Sequence, residues 1–233
     1  MVAIQGVLRP MRICALIPAH NESTSIAGVI GALKSKGLDV LVIDDGSDDG
    51  TGGIASEKGA HVIRHEHKTG KGNALQKGFD YALRHDFDGV VTIDADGQHD
   101  VNDIDQFLAI AGEHKVSVIT GNRMTNAKGM PFIRYCTNRF MSWLISLACR
   151  QVIADTQCGY RYISCEILKE IHLACSGFEI ESEILLKASK KGYRIYGVPV
   201  KTIYRDEKSK INPFIDTARF FLYFIKEICS SAK

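Results

Sequence analysis

Two carboxylates, Asp94 and Asp96, are separated by a single alanine at the end of a short apolar run, and Gln98 and Asp100 follow. Oxygen ligands of this kind suit a hard cation such as Mg²⁺, which takes one or two carboxylates and completes its shell with water and substrate phosphates. A solvated acidic turn has the same residue types. The motif therefore predicts either a metal and diphosphate site or an ordinary surface turn.

A second acidic loop has the sequence DDGSDDGT and begins at Asp44 and Asp45. Its carboxylates could accept hydrogen bonds from ribose hydroxyls or from a base N–H group. The same residues also form tight turns, and Asp49 or Thr51 could cap the next helix. Taken alone, this loop favours the turn.

A third polar loop contains the sequence GKGN at residues 70–73 and precedes a helix predicted over residues 74–84. It could cradle a phosphate, but it lacks the spacing of a P-loop, and a turn with a solvated Lys71 explains it equally well. His65 and His67 form an isolated H-x-H pair, which favours a structural role over a metal site.

Apolar runs precede the acidic loops and must position them. Residues 12–18, 39–43 and 89–93 are strand-like, and helical segments follow each of them. This alternation predicts an α/β fold with a mainly parallel sheet that helices cover on both faces. Such sheets bind ligands at the carboxyl ends of their strands. We therefore expect the loops that follow these strands to meet in one crevice.

The composition excludes several classes of protein. A chain of 233 residues is expected to form one large domain. The net charge of +2 argues against a nucleic-acid-binding protein. Seven cysteines with no C-x-x-C pair indicate free thiols and a cytoplasmic location. No apolar run reaches the roughly 20 residues of a bilayer span, and residues 1–10 are expected to be a loose tail without a signal peptide.

Two helical segments are unusually apolar, at residues 133–150 and 214–228. The first places Arg134, Arg139 and Arg150 beside large apolar side chains, a combination that can lie in a lipid interface. Packing in the core or in a homodimer interface would explain the same pattern. Both interpretations remain open at this point.

Seven short motifs occur in a fixed order along the chain: PAHNE, VIDDGSDDGT, TIDADGQHD, GNR, DTQCGYR, FEIESE and YRDEKSK. As an ordered set they resemble the family 2 glycosyltransferases, which have the Rossmann-like GT-A fold. Within that family the chain is most similar to dolichol-phosphate mannosyltransferases and bacterial polyprenyl-phosphate glycosyltransferases. The resemblance implies a catalytic domain over residues 11–210 and an amphipathic helix over residues 211–233 that packs on the domain or on a membrane.

The resemblance also implies roles for individual positions. Those around the nucleoside are Pro18, His20, Glu22, Ile43, Asp44 and Asp45, and those around the metal and diphosphate are Asp94, Ala95, Asp96 and Gln98. Phosphate contacts match Arg123, Arg205 and Lys210, with Lys208 as an alternative to Lys210, although each could be a solvated surface charge. Catalytic positions match Asp96, Arg123, Asp155 and Glu181, of which Asp155 and Glu181 could instead form internal ion pairs.

The implied activity is inverting transfer of a sugar from a UDP- or GDP-linked donor to a polyprenyl phosphate at the cytoplasmic membrane surface, with Mg²⁺ or Mn²⁺ as cofactor. A phosphate acceptor is already an anion and needs no strong base. A hydroxyl acceptor, on a saccharide or a lipid, would need Glu181 or Asp155 as general base. A catalytically inactive nucleotide-sugar-binding module that recruits a membrane partner is a further alternative.

Overall fold

The structure is a computed structural model that describes residues 11–114, 116–127, 129–203, 220–225 and 227. Within these residues, seven strands form one sheet, in the order β3-β2-β1-β4-β6-β5-β7. The strands are β1 (Ile13–Ala19), β2 (Asp39–Asp44), β3 (His61–Arg64), β4 (Gly89–Thr92), β5 (Val118–Asn122), β6 (Arg161–Ser164) and β7 (Ile195–Pro199). The helices are α1 (Ile26–Ser35), α2 (Thr51–Glu57), α3 (Lys71–Arg84), α4 (Ile104–His114), α5 (Phe132–Cys149), α6 (Cys165–Glu170) and α7 (Ile180–Lys190).

The sheet is mixed, because β6 runs antiparallel to both of its neighbours, β4 and β5, whereas the other pairs are parallel. Strands β1, β2 and β3 follow one another along the chain and extend the sheet in one direction. Strand β4 then pairs with the opposite side of β1. This change of direction is the switch point at which such sheets bind ligands. Because β6 is reversed, the loop before it reaches the same edge as the carboxyl ends of the parallel strands. The predicted α/β class is confirmed.

Two apolar cores lie on opposite faces of the sheet. One core contains buried residues of α3, α5, α6 and α7, and the other contains buried residues of α1, α2 and α4. Strands β1, β2 and β4 are buried on both faces, as their continuous apolar runs predicted. The sheet is therefore a rigid layer that fixes the positions of its edge loops.

The C-terminal segment is described only at residues 220–225 and 227. Residues 220–225 are helical, and Phe220 and Phe224 are buried in the core that contains α5 and α7. Leu222 and Ile225 are exposed. The expected tail, residues 1–10, and the expected domain boundary after residue 210 lie outside the described residues. No helix in the described ranges combines the length and the apolar character that crossing a membrane requires.

Helix α3 begins in close contact with the loop before α7, three residues earlier than the sequence predicted. The Gly72 N–H donates to Ser176 O over 2.8 Å. A Cβ atom at Gly72 would lie only 2.2 Å from Cys175 O, and Gly70 has a positive φ of 106°. Because these backbones meet so closely, only glycine fits at residue 72. The contact sets the position of Lys71 between the two glycines.

We therefore expect Gly72→Ala to lower the free energy of unfolding by about 1–3 kcal/mol, since the new methyl group collides with backbone atoms. Gly28→Ala is the matched control in α1, where a Cβ meets nothing within 4 Å and alanine should stabilise the helix by about 0.5–1 kcal/mol. Urea unfolding of both variants tests this prediction. Equal stability of the two variants would contradict it.

Candidate active site

Hydrogen bonds tie the loop after β1 to the loop after β2. The Asn21 N–H donates to Ser47 Oγ over 3.0 Å, and the Asp48 N–H donates back to Asn21 Oδ1 over 3.0 Å. His20 Nδ1 lies 2.9 Å from the carbonyl oxygen of Asp45, which accepts the bond when the ring proton is on Nδ1. The first two segments predicted to hold the nucleoside are therefore brought together, and Pro18 pairs with Ile43 in the sheet beneath them.

The carboxylate of Asp45 organises the third polar loop. Its Oδ1 accepts hydrogen bonds from Thr69 N and Thr69 Oγ1, both over 2.8 Å, and lies 2.9 Å from His65 Nδ1. Its Oδ2 accepts from Gly70 N over 2.8 Å. Burial alone would raise the pKa of Asp45, but the bonds from His65, Thr69 and Gly70 outweigh burial and lower it. Both carboxylate oxygens of Asp45 are thus occupied by hydrogen bonds within the protein. A contact of Asp45 with a nucleoside stays a prediction.

The other two acidic residues of the predicted nucleoside region are placed differently. Asp44 is fully buried, accepts from Ser47 N over 2.9 Å and lies 3.6 Å from Arg64 Nη1. It faces Gly52 of α2, where a Cβ would come within 2.4 Å of Asp44 Oδ2. Glu22 is half-buried, and its N–H donates to Thr51 Oγ1 over 2.8 Å. Asp44 therefore supports the loop from beneath.

Lys71 connects the acidic turn after β4 to the start of α7. Its Nζ donates to Asp94 Oδ1 over 2.6 Å and to Glu181 Oε1 over 2.7 Å. The side chain is only 14% exposed and lies over the ring of Phe178. Burial alone would lower the pKa of Lys71, but the charges of Asp94 and Glu181 outweigh burial and raise it. The interpretation of Lys71 as a solvated residue in a turn, which the sequence allowed, is therefore wrong.

The two carboxylates of the acidic turn have opposite electrostatic environments. Burial tends to raise the pKa of Asp94, but the charge of Lys71 and the hydrogen bond from His99 keep it well below its usual range. The pKa of Asp96 is raised, first by burial and then by the negative charge of Asp94. Asp96 Oδ1 accepts from Gln98 N over 2.9 Å. A cation near Asp96 would relieve the repulsion between the two carboxylates.

Arg123 and Asp155 form a buried, two-pronged ion pair. Arg123 Nε and Nη2 lie 2.7 Å and 3.0 Å from the two oxygens of Asp155, which also accepts from the Arg123 N–H. Burial would raise the pKa of Asp155, but the bonds and the charge of Arg123 lower it. Arg123 is therefore not a solvated surface charge, and Asp155 is paired internally.

Arg161 joins the loop that contains Asp155 to Glu181. It is fully buried at the start of β6, and its guanidinium donates to Thr156 O over 2.8 Å and, by a shorter bond, to Glu181 O. Its Nη2 also lies 3.8 Å from the Glu181 carboxylate. Glu181 consequently lies near two cations, Lys71 and Arg161, and is buried.

The turn after β4 also contacts the segment that follows β7. The Ile203 N–H donates to Gln98 O over 2.8 Å, and His99 forms an antiparallel bridge with Thr202. Residue 203, after which the described part of the chain is interrupted, therefore lies beside the acidic turn. Arg205, Lys208 and Lys210 follow this point and lie outside the described residues.

The acidic turn offers few protein ligands for a metal ion. No group of three His, Cys, Asp or Glu residues that could hold one occurs in the described part of the chain. An Mg²⁺ site completed by substrate phosphates needs only one or two carboxylates, so this finding is compatible with the predicted set of Asp94, Asp96 and Gln98. Asp96 fits such a role best, because Lys71 already neutralises Asp94.

Comparison with known proteins identifies the family. The model of the family described as "Glycosyl transferase family 2" matches residues 14–172, which is more than half of the chain. The chain belongs to glycosyltransferase family 2. The match covers the strand-end loops, the Arg123–Asp155 pair and Arg161.

The names of two relatives of the chain state an activity. An undecaprenyl-phosphate mannosyltransferase from Micrococcus luteus is 30% identical, and the match covers 84% of this chain and 85% of that protein. A UDP-N-acetylglucosamine–dolichyl-phosphate N-acetylglucosaminyltransferase from Methanococcus voltae is 31% identical over 82% of this chain and 85% of the relative.

A solved structure confirms the predicted GT-A fold. Glucosyl-3-phosphoglycerate synthase from Mycobacterium tuberculosis, in complex with Mn²⁺, uridine-diphosphate-glucose and phosphoglyceric acid, superposes with a TM-score of 0.70. The match covers 94% of this chain and 79% of that chain at 19% identity. Identity this low shows the fold alone.

Sequence reasoning missed two charged residues that organise this site, Lys71 and Arg161. Lys71 lies in the GKGN loop, which the sequence did mark as a possible phosphate loop, and Arg161 lies within the DTQCGYR motif. Their partners are distant in the chain, however, and Glu181 follows Lys71 by 110 residues. Only the fold shows that these charges meet.

The hydrogen bonds of Asp45 predict a pH-dependent effect on stability. Asp45→Asn should lower the free energy of unfolding at neutral pH by about 1–3 kcal/mol, because the bonds from Thr69 and Gly70 lose their charged acceptor. A lowered pKa in the folded state contributes stability above the unfolded-state pKa of about 3.9, and that stability is lost below it. The difference between wild type and variant should therefore shrink as the pH falls below about 4.

Urea unfolding between neutral and acidic pH measures this difference. Asp48→Asn, an exposed residue of the neighbouring loop, is the control and should follow the wild type at every pH. A difference for Asp45→Asn that stays constant down to pH values well below 4 would show that the Asp45 carboxylate is not held as described.

Proposed function

We propose that this protein is an inverting glycosyltransferase that moves a sugar from a nucleotide-diphospho-sugar to a polyprenyl phosphate. The observation that carries the proposal is the single site at the carboxyl edge of the sheet, where Lys71 joins the acidic turn to Glu181. The proposed donor and acceptor are supported by the membership of the chain in family 2 and by the activities that the names of its relatives state.

The donor is proposed to lie along the loops after β1, β2 and β4. The nucleoside would contact the region of Pro18, His20 and Glu22, and the diphosphate would lie near Asp94 and Asp96. Asp96, with Asp94 and Gln98, would hold Mg²⁺ or Mn²⁺, a cation that neutralises charge on the diphosphate. The glucosyl-3-phosphoglycerate synthase structure contains Mn²⁺ and uridine-diphosphate-glucose, which supports a divalent cofactor.

Cations of this chain are proposed to stabilise the departing diphosphate. Lys71 is already next to the acidic turn, and Arg123 lies after β5 at the same edge of the sheet. Arg205 and Lys210 follow the segment that contacts Gln98, and we propose that they also contact phosphate. Charges fixed before the reaction stabilise a developing anion without reorganisation of solvent.

The pairing of the carboxylates favours a phosphate acceptor over a hydroxyl acceptor. A hydroxyl must lose its proton, so it needs a carboxylate that can act as general base. Asp155 is bound by Arg123, with a lowered pKa, and Glu181 is bound by Lys71. Both carboxylates are thus already paired with cations of the protein, whereas a lipid phosphate is an anion that needs no base.

The acceptor is tested directly by supplying purified protein with UDP- or GDP-linked sugars, Mg²⁺ or Mn²⁺, and either polyprenyl phosphate or polyprenol in detergent. We expect a glycosylated polyprenyl phosphate by mass spectrometry and no product from polyprenol. An Asp94→Asn/Asp96→Asn variant, checked for folding by circular dichroism, is the inactive control. Transfer to polyprenol or to a free saccharide, with none to the phosphate, would overturn the proposal.

A phosphate acceptor that needs no general base gives a second prediction. Glu181→Gln should keep transfer to polyprenyl phosphate within about tenfold of the wild type, because loss of a true general base costs about 10²–10⁴-fold. Initial rates under saturating donor and acceptor measure the effect, with unfolding followed in parallel. A loss beyond about 10²-fold in a fully folded variant would indicate a base and therefore a hydroxyl acceptor.

We further propose that the protein acts in the cytoplasm, at the surface of the membrane that contains its acceptor. A polyprenyl chain stays in the bilayer, so its phosphate must be reached from the lipid interface. The protein therefore needs a surface that can bind lipid near the carboxyl edge of the sheet.

A further inference from the structure

Helix α5 has apolar side chains on two opposite faces. Met141, Ile145 and Cys149 are buried in the core, as expected for a helix that covers a sheet. The opposite face, which we call the outer face of α5, consists of Ile133, Phe140, Trp143 and Leu147, which are 80%, 49%, 59% and 66% exposed. Their spacing of seven, three and four residues places them in one stripe along the helix. A helix that faces only water would have polar residues there.

The charge around this stripe is one-sided. The stretch from His114 to Ala154 contains no Asp or Glu, although the whole chain has 27 of them. The same stretch contains Lys115, Lys128, Arg134, Arg139 and Arg150, besides Arg123, which is buried and paired with Asp155. An apolar stripe with only positive charges nearby in the chain is complementary to a surface that is apolar inside and anionic outside.

An anionic lipid bilayer has this combination of properties. Amphipathic helices with aromatic side chains on one face and arginines at its borders lie in the plane of the lipid interface. Tryptophan is enriched at that depth, because its ring is apolar and its N–H is polar. Arg139 borders the stripe and lies over the ring of Tyr135, and Phe140 contacts Trp143, so the surface has aromatic rings beside a cation.

We propose that the outer face of α5 is the surface through which this protein binds an anionic membrane. This inference rests on the proposed lipid-phosphate acceptor. Helix α5 follows Arg123, which we propose to be near the phosphates, after only a short connection. Docking through α5 would bring the interface, and the acceptor phosphate within it, toward the edge of the sheet where Arg123 lies.

The chain contains a single tryptophan, Trp143, so tryptophan emission reports on this surface alone. We expect vesicles of phosphatidylcholine and phosphatidylglycerol to shift the emission of Trp143 to shorter wavelength, and brominated lipid to quench it. Pure phosphatidylcholine vesicles should produce a much smaller change, because they lack the anionic charge. The vesicles contain no polyprenyl phosphate, so the result is independent of sugar transfer in detergent.

Results of the following kinds would overturn the proposal. Co-sedimentation with anionic vesicles without any change in Trp143 emission would show that another surface binds lipid. A blue shift that depends on protein concentration without vesicles, with no binding to vesicles, would show that the outer face of α5 joins two copies of the chain. An absence of binding to anionic vesicles would also overturn this proposal, but intact transfer in detergent would leave the proposed function standing.

A matched pair of variants locates the surface. Phe140→Ser/Leu147→Ser should weaken binding to anionic vesicles by about tenfold or more, because two large apolar groups no longer enter the lipid. Leu222→Ser/Ile225→Ser is the control, since these side chains are 71% and 58% exposed on the C-terminal helical segment. It should retain binding within about twofold. Equal loss in both variants, or loss in the control alone, overturns the assignment to α5.

Discussion

The site depends on one ammonium group placed between two carboxylates. Lys71 contacts both Asp94 and Glu181, and the side chains of Lys71 and Glu181 are buried whereas that of Asp94 is partly exposed. Removing a charged group from a buried pair leaves its partner without compensation, which costs far more than the pair contributes when intact. The acidic turn after β4 and the start of α7 can therefore stay close only while Lys71 is held in position.

The rest of the structure holds Lys71 through the backbone. Asp45 fixes Thr69 and Gly70, and Gly72 lets the chain approach the loop before α7. The loop after β2 thus supports the acidic turn after β4 through a lysine, rather than through direct contact. On the other side, Arg161 joins Glu181 to the loop that contains Asp155. Residues expected to bind ligand are thus linked to one another by hydrogen bonds and ion pairs and by the loops that hold them.

The sequence predicted the layers of the fold because apolar runs and helical segments alternate, and the acidic loops could be placed at the strand ends for the same reason. It did not predict the reversed direction of β6 or the six-residue helix α6, since such short elements have little periodicity. The partners of Lys71, and the pairing of Arg123 with Asp155, depend on contacts between distant segments. No local pattern contains that information, whereas the resemblance to a family marked most of these positions without giving their partners.

A double-mutant cycle on Lys71 and Glu181 measures whether the lysine holds these segments together. Lys71→Met should lower the free energy of unfolding by about 3–5 kcal/mol, because the buried Glu181 carboxylate and the partly exposed Asp94 carboxylate lose their closest cation. Adding Glu181→Gln should restore part of that loss, giving a coupling energy of about 1–3 kcal/mol in urea unfolding. If the effects of the two substitutions instead add to within about 0.5 kcal/mol, Lys71 and Glu181 are not coupled, and the lysine does not organise the site.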